Sequence, residues 1–96
     1  MSKPMTDEQI IEALDRLEGW SLQDDKLVKT FTFSSFPEAV SFIVRLAFES
    51  EAVNHHPEIQ NVYNRVKVSL TTHDAGDKVT GRDVNLAQTI QSFSWV

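Results

Sequence analysis

Apolar positions along the chain follow two rhythms by turns. After Thr6, residues Ile10, Ile11, Leu14 and Leu17 fall at helical spacing, and Gly19 marks the expected stop. The stretch "TDEQ" ahead of them sets Gln9 three residues after Thr6, a capping-box pattern, and its acids suit the positive end of a helix. The period then drops to two. "GWSLQDDKLVKTFTF" predicts two short strands around a polar turn at Gln23-Asp24-Asp25, with Leu27, Lys29, Phe31 and Phe33 on one face and Val28, Thr30 and Thr32 on the other.

Helical spacing returns at "SFPE". Ser35 is the expected cap, Pro37 is tolerated in a first turn, and Glu38 is placed to close the box. Phe36, Ala39, Val40, Ile43, Leu46, Ala47 and Val53 predict one broad buried face, with Phe42 and Phe48 off it as a surface for association. Pro57 is the expected end, because proline pushes His56 toward extended backbone. Ile59 to Tyr63 and Arg65 to His73 predict a hairpin turning near Asn64, in which Val66, Val68, Leu70 and Thr72 share a face. After the loop "HDAGDKV", "TGRD" caps a third helix carrying Val84, Leu86, Ala87, Ile90 and Phe93. The order α-β-β-α-β-β-α predicts an α+β fold, a four-stranded antiparallel sheet with three helices on one face, as a single domain over 1–96.

Composition narrows the function more than the fold. Net charge is −5, and the nine Lys and Arg are scattered from Lys3 to Arg82 without a stripe, which argues against nucleic acid as a partner. The absence of cysteine removes disulfides, thiol nucleophiles and thiolate metal sites, and fits a cytoplasmic protein. The opening "MSKPMTDEQ" has no apolar core for a secretory signal, and no apolar run approaches the roughly 18 residues of a membrane span.

The chemistry concentrates in three histidines. His55 and His56 stand together at the end of the second helix, and His73 follows the last strand. His55 lies nine residues before Asn64 and His73 nine after it, so an antiparallel hairpin sets them roughly opposite one another. Imidazoles with a pKa of about 6.5 supply proton donors and acceptors together near neutrality. Glu51 is four residues before His55 and within its reach on a continuous helix. Three histidines and a carboxylate also form a zinc-like set, but neighbours in extended backbone point to opposite sides, so His55 and His56 do not easily share an ion. From the residues alone, a proton-transfer site and a helix end that merely favours histidine through its dipole stay equally open.

Glu51, His55, His56, Pro57 and Tyr63 in the frame E-x-x-x-H-H-P-x-x-x-x-x-Y, followed by "TTHDAG" and "RDVNLA", closely resemble the pterin-4a-carbinolamine dehydratases. Gly19-Trp20 and the F-x-F of Phe31 and Phe33 match as well, so the resemblance covers almost the whole chain. It departs at "GDKVTGRD", where the family more commonly has "GGLTxxD".

The resemblance implies dehydration of 4a-hydroxytetrahydropterin, the product of aromatic amino acid hydroxylases, to quinonoid dihydropterin in tetrahydrobiopterin recycling, with no metal, redox cofactor or covalent intermediate required. His55 and His73 are then the expected proton-transfer pair and His56 the residue that binds or orients the pterin. Trp20 is expected to stack on the pterin, Thr71 and Thr72 to bond its edge, and Glu51 to support the site from outside. Asp83 is expected first as a cap of the third helix and then as an orienter of Arg82 or a histidine. Tyr63 is expected to pack at the strand end. The resemblance also implies a dimer or tetramer, and it carries rival roles: a coactivator-type scaffold, as in animal members, or a part in molybdopterin cofactor metabolism.

Overall fold

Thr6 caps the first helix, α1 (Asp7–Leu14), as its neighbours predict: its hydroxyl accepts from Gln9 N–H while the Gln9 side chain accepts from Thr6 N–H. The computed structural model describes residues 3–96. α1 ends before Gly19. Leu17 N–H donates to Leu14 O and Trp20 N–H to Leu17 O, tightened turns that drop Leu17 into the core, and Gly19 completes the reversal at a φ of 84°.

Strands β1 (Ser21–Gln23) and β2 (Lys26–Thr32) form a hairpin closed by the Gln23–Lys26 pair. Its two-residue loop is Asp24-Asp25, both with positive φ, the geometry that matches strand twist and that aspartate tolerates.

Helix α2 (Phe36–Ala52) starts where Ser35 accepts from Glu38 N–H, with Pro37 in the first turn. The expected box does not close. The Glu38 carboxylate turns outward to accept from the Ser34 hydroxyl and Trp95 Nε1–H, and these partners hold its pKa below the usual carboxylate value.

The buried face of α2 also differs from the predicted one. Ala39, Phe42, Leu46 and Ser50 face the core, while Phe36, Val40, Ala47 and Val53 are exposed. Apolar residues occur nearly all round this helix, so spacing alone does not choose a face. The sheet chooses the one led by Phe42, whose ring lies 4.7 Å from Phe31, 5.0 Å from Phe33 and 5.6 Å from Phe93.

Strands β3 (Glu58–Val62) and β4 (Arg65–Leu70) pair from Val62–Arg65 to Glu58–Ser69 around the two-residue turn Tyr63-Asn64. Tyr63 is largely exposed with a φ of 53°, so it closes the turn rather than packing at the strand end. β4 is shorter than predicted. It stops at Leu70, Thr72 makes an isolated bridge to Lys78, and His73–Ala75 forms a 3₁₀ turn. Helix α3 (Gly81–Phe93) follows, with Thr80 and Asp83 in a capping box.

The sheet is antiparallel with order β1-β2-β4-β3. Leu27, Phe31, Phe33, Val66, Val68 and Leu70 line its inner face and meet Phe42, Leu46, Leu86, Ala87 and Ile90 of the helices. This order sets the end of β4 between the β1–β2 turn and the junction of α2 with β3. Residues from distant parts of the chain therefore gather at one end of the sheet. No helix of the described residues is long and apolar enough to cross a membrane.

Candidate active site

The paired histidines owe their position to the way α2 ends, and proline is not what ends it. Asn54 adopts a φ of 51°, its N–H donates to Glu51 O, and His55 N–H donates back to Ser50 O. This is a Schellman closure with asparagine in the left-handed position, two residues ahead of the first one Pro57 constrains. His55 is swung inward by it, and its side chain is 8% exposed.

There it meets Asp83. His55 Nε2 lies 2.5 Å from Asp83 Oδ1, while Asp83 Oδ2 accepts from Thr72 Oγ1–H and Thr80 N–H, each at 2.8 Å. Thr72 and Thr80 also share a hydroxyl–hydroxyl bond of 2.7 Å. Asp83 is fully buried. A carboxylate accepts only, so each of these partners supplies a hydrogen and the charge is answered on every side. Asp83 therefore caps α3 and, of the two partners it was expected to orient, engages His55. The same network overturns the expectation for Thr72. Its hydroxyl is committed inward and is not available to a pterin edge.

His56 takes the opposite side of the chain. Its Nε2 lies 2.8 Å from Glu51 Oε1, and both side chains are exposed. Glu51 thus partners His56 and not His55, because the closure at Asn54 turns His55 away from the helix face that Glu51 occupies. His73 opens the 3₁₀ turn after β4, is 95% exposed, and places Nδ1 2.9 Å from Asp77 Oδ1. Asp77's hydrogen bond and then its charge, with a further contribution from Asp74, raise the His73 pKa above its usual value.

All three imidazoles line one cleft of about 330 Å³, together with Asn54, Thr71, Asp74 and Arg82. Each is held at one ring nitrogen by a carboxylate. Arg82 Nη2–H donates to Asn54 O at 2.7 Å and ties α3 to the end of α2. A smaller cavity of about 130 Å³ lies beyond it, against His55, Leu86 and Thr89. Among the described residues no three His, Asp or Glu side chains are grouped so as to hold a metal ion.

Trp20 is not brought to this cleft. Its indole is buried edge-on to Phe31 at 6.1 Å, and Nε1–H donates to Gln91 Oε1 at 3.0 Å. The core occupies the ring that was expected to stack on substrate. Thr71 does reach the cleft, with its hydroxyl donating to Asp25 O at 3.3 Å. Sequence reasoning missed Asn54, Asp74 and Arg82 as cleft residues and Asp77 as the partner of His73. Only Asn54 carried a readable signal, since asparagine before a break in helical spacing suits a left-handed cap.

The family model described as pterin 4 alpha carbinolamine dehydratase matches residues 3–93. A relative from Opitutus terrae, provisionally named pterin-4-alpha-carbinolamine dehydratase, is 55% identical over 92 residues, which is 96% of this chain and 95% of that one. One from Sulfurisphaera tokodaii with the same name is 44% identical, covering 95% and 97%. Among solved structures, a transcriptional coactivator/pterin dehydratase from Brucella melitensis superposes with a TM-score of 0.89 at 35% identity, covering 94% of this chain and 97% of that one. A pterin dehydratase-like RuBisCO assembly factor of the alpha-carboxysome has a TM-score of 0.66 over 78% of this chain and 88% of its own; at 24% identity it shows a shared fold alone. With the family model matched over nearly the whole length and a relative 55% identical across 96% of it, the chain belongs to the pterin-4-alpha-carbinolamine dehydratase family.

Proposed function

We propose that this protein dehydrates 4a-hydroxytetrahydropterin to quinonoid dihydropterin and water by imidazole acid–base catalysis in the histidine cleft. The observation that carries the reading is the convergence of three imidazoles from two chain segments on one cleft, each with a carboxylate at one ring nitrogen. The reaction breaks the C4a–O bond, and the oxygen leaves with the bonding pair and takes a proton to become water. N5 gives up its proton, and the electrons of that N–H bond form the C4a=N5 double bond. One acid and one base are needed, and two histidines supply them.

His73 fits the acid. Asp77 keeps it protonated to higher pH than an ordinary histidine, and its exposure lets it recharge from solvent. His55 fits the base at N5, its ring fixed by buried Asp83 in a histidine–carboxylate arrangement. His56 orients the pterin, with Thr71 and Arg82 nearby at the cleft wall. No metal, redox cofactor or covalent intermediate enters this scheme. Tetrahydrobiopterin recycling beside an aromatic amino acid hydroxylase in the cytoplasm is the setting we propose for it.

The test generates the carbinolamine with a phenylalanine hydroxylase and follows its decay by ultraviolet absorbance. The wild-type protein is expected to accelerate decay, and His55→Ala and His73→Ala each to lose roughly 10²-fold or more. No acceleration by the wild type rejects the enzyme and leaves the scaffold reading. Full activity in both variants rejects the assignment of roles.

We further propose that the protein is a dimer or tetramer through α2. Phe36, Val40, Val44 and Phe48 recur every fourth residue and are 47%, 38%, 50% and 71% exposed, an apolar stripe along the outer side of the helix. Light scattering is expected to give a dimer or tetramer for the wild type and a monomer for Val44→Glu with Phe48→Glu. A monomeric wild type overturns it.

A further inference from the structure

Asp77 lies in "GDKVTGRD", where this chain departs from the family's commoner "GGLTxxD". It is nonetheless the residue that touches His73. We propose that Asp77 is a positioning residue for His73, holding its Nδ1 so that Nε2 is the ring atom offered to substrate. The inference rests on the dehydratase reading for its catalytic consequence, and on geometry alone for the pairing.

His73 is almost wholly exposed, so packing does not fix its ring. The turn around it is built to bring Asp77 back. Gly76 and Asp77 have φ of 76° and 59°, Asp77 N–H donates to Thr72 O at 3.1 Å, and Thr72 N–H donates to Lys78 O at 3.0 Å. Lys78 Nζ in turn lies 2.8 Å from Asp25 Oδ2, on the β1–β2 turn. The segment is pinned on both sides, and the carboxylate arrives 2.9 Å from Nδ1.

A carboxylate accepts and never donates when ionised, so Nδ1 must carry the hydrogen. In the neutral ring Nε2 then bears the lone pair, and in the charged ring it bears the proton to be delivered. The other charged or titratable groups at the cleft are Asp74 on the same turn, His55 and His56 from the α2–β3 junction, and Arg82 from α3. Asp74 reinforces the effect of Asp77 on His73, and the loss of hydration around the ring opposes it. Asp77 is the group in hydrogen-bond contact.

Asparagine and glycine both accept a positive φ, so Asp77→Asn and Asp77→Gly remove the charge without straining the turn. In nitrogen-15 NMR of the full chain, with His73→Gln used for assignment, the wild-type His73 is expected to hold its hydrogen on Nδ1. In both variants its titration midpoint moves to lower pH and the Nδ1–H tautomer is no longer dominant. In the carbinolamine assay, kcat/KM is expected to fall roughly threefold at pH 8 and to change little at pH 6, with KM nearly constant. Asp77→Glu is expected to recover part of the loss. An unchanged His73 midpoint and tautomer in Asp77→Asn overturns the pairing, and a loss uniform across pH overturns its catalytic consequence. If the wild type has no dehydratase activity, the function reading fails, and the NMR measurement still decides the pairing.

Discussion

His55–Asp83 and His73–Asp77 are the same chemical pair in opposite surroundings. The first has a side chain 8% exposed against one fully buried; the second has 95% against 65%. Buried Asp83 must satisfy every lone pair it brings out of water, and it does so with His55, Thr72 and Thr80. Exposed Asp77 has water as an alternative, and its partner gains orientation more than the fold gains stability. One pair is therefore part of the architecture and the other is a local adjustment on a turn.

The sharpest way to break this comparison is to remove each carboxylate or its histidine. Asp83→Ala strands His55, Thr72 and Thr80 together, and is expected to cost about 3–5 kcal/mol in urea unfolding as well as activity. His55→Ala leaves the Asp83 charge short of a partner, and is expected to cost about 2 kcal/mol or more, whereas His73→Ala at pH 9, where its pairing no longer adds stability, should leave the urea midpoint unchanged while abolishing most activity. Equal destabilisation by the two histidine variants would refute the contrast.

Thr72→Val probes the network more gently. It removes one donor from Asp83 and the bond to Thr80 while keeping the shape of the side chain, with an expected loss of about 1–2 kcal/mol. Activity should survive if Thr72 works only through Asp83, and a large rise in KM at unchanged stability would restore it as a substrate contact.

The smallest effect is a pH dependence. The His73 pKa is raised in the folded protein, so its pairing adds stability that is fully present below the ordinary value of about 6.5 and fades as pH rises through the raised one. The difference in unfolding between wild type and Asp77→Asn is expected to be small at pH 6 and absent at pH 9. A difference that grows with pH would contradict the pairing.

Much of the architecture was legible because its causes are local. The capping pairs at Thr6 and Thr80, the alternation of Val66, Val68 and Leu70, and the turn before Arg65 all appear where a few neighbouring residues require them. The gathering of the histidines was legible in outline, because the antiparallel pairing of β3 with β4 returns the chain to the end of the sheet it left, although the ladder stops at Glu58–Ser69 and His55 and His73 both lie beyond it. The buried side of α2 was not, since Phe36, Val40, Phe42, Val44 and Phe48 offer several apolar sides at once. The burial of Trp20 depended on Phe31 and on Gln91, which lies 71 residues away.

The sequence by itself determined the order of helices and strands, the strand faces, the helix starts and the kinship to a dehydratase family, because periodicity, caps and motifs act over a few residues. Tertiary structure alone decided which carboxylate serves which imidazole, that Thr72 turns inward, and which side of α2 meets the sheet. Those outcomes rest on contacts such as the one that joins His55 to Asp83 across 28 residues, and only the packed fold brings such partners within reach.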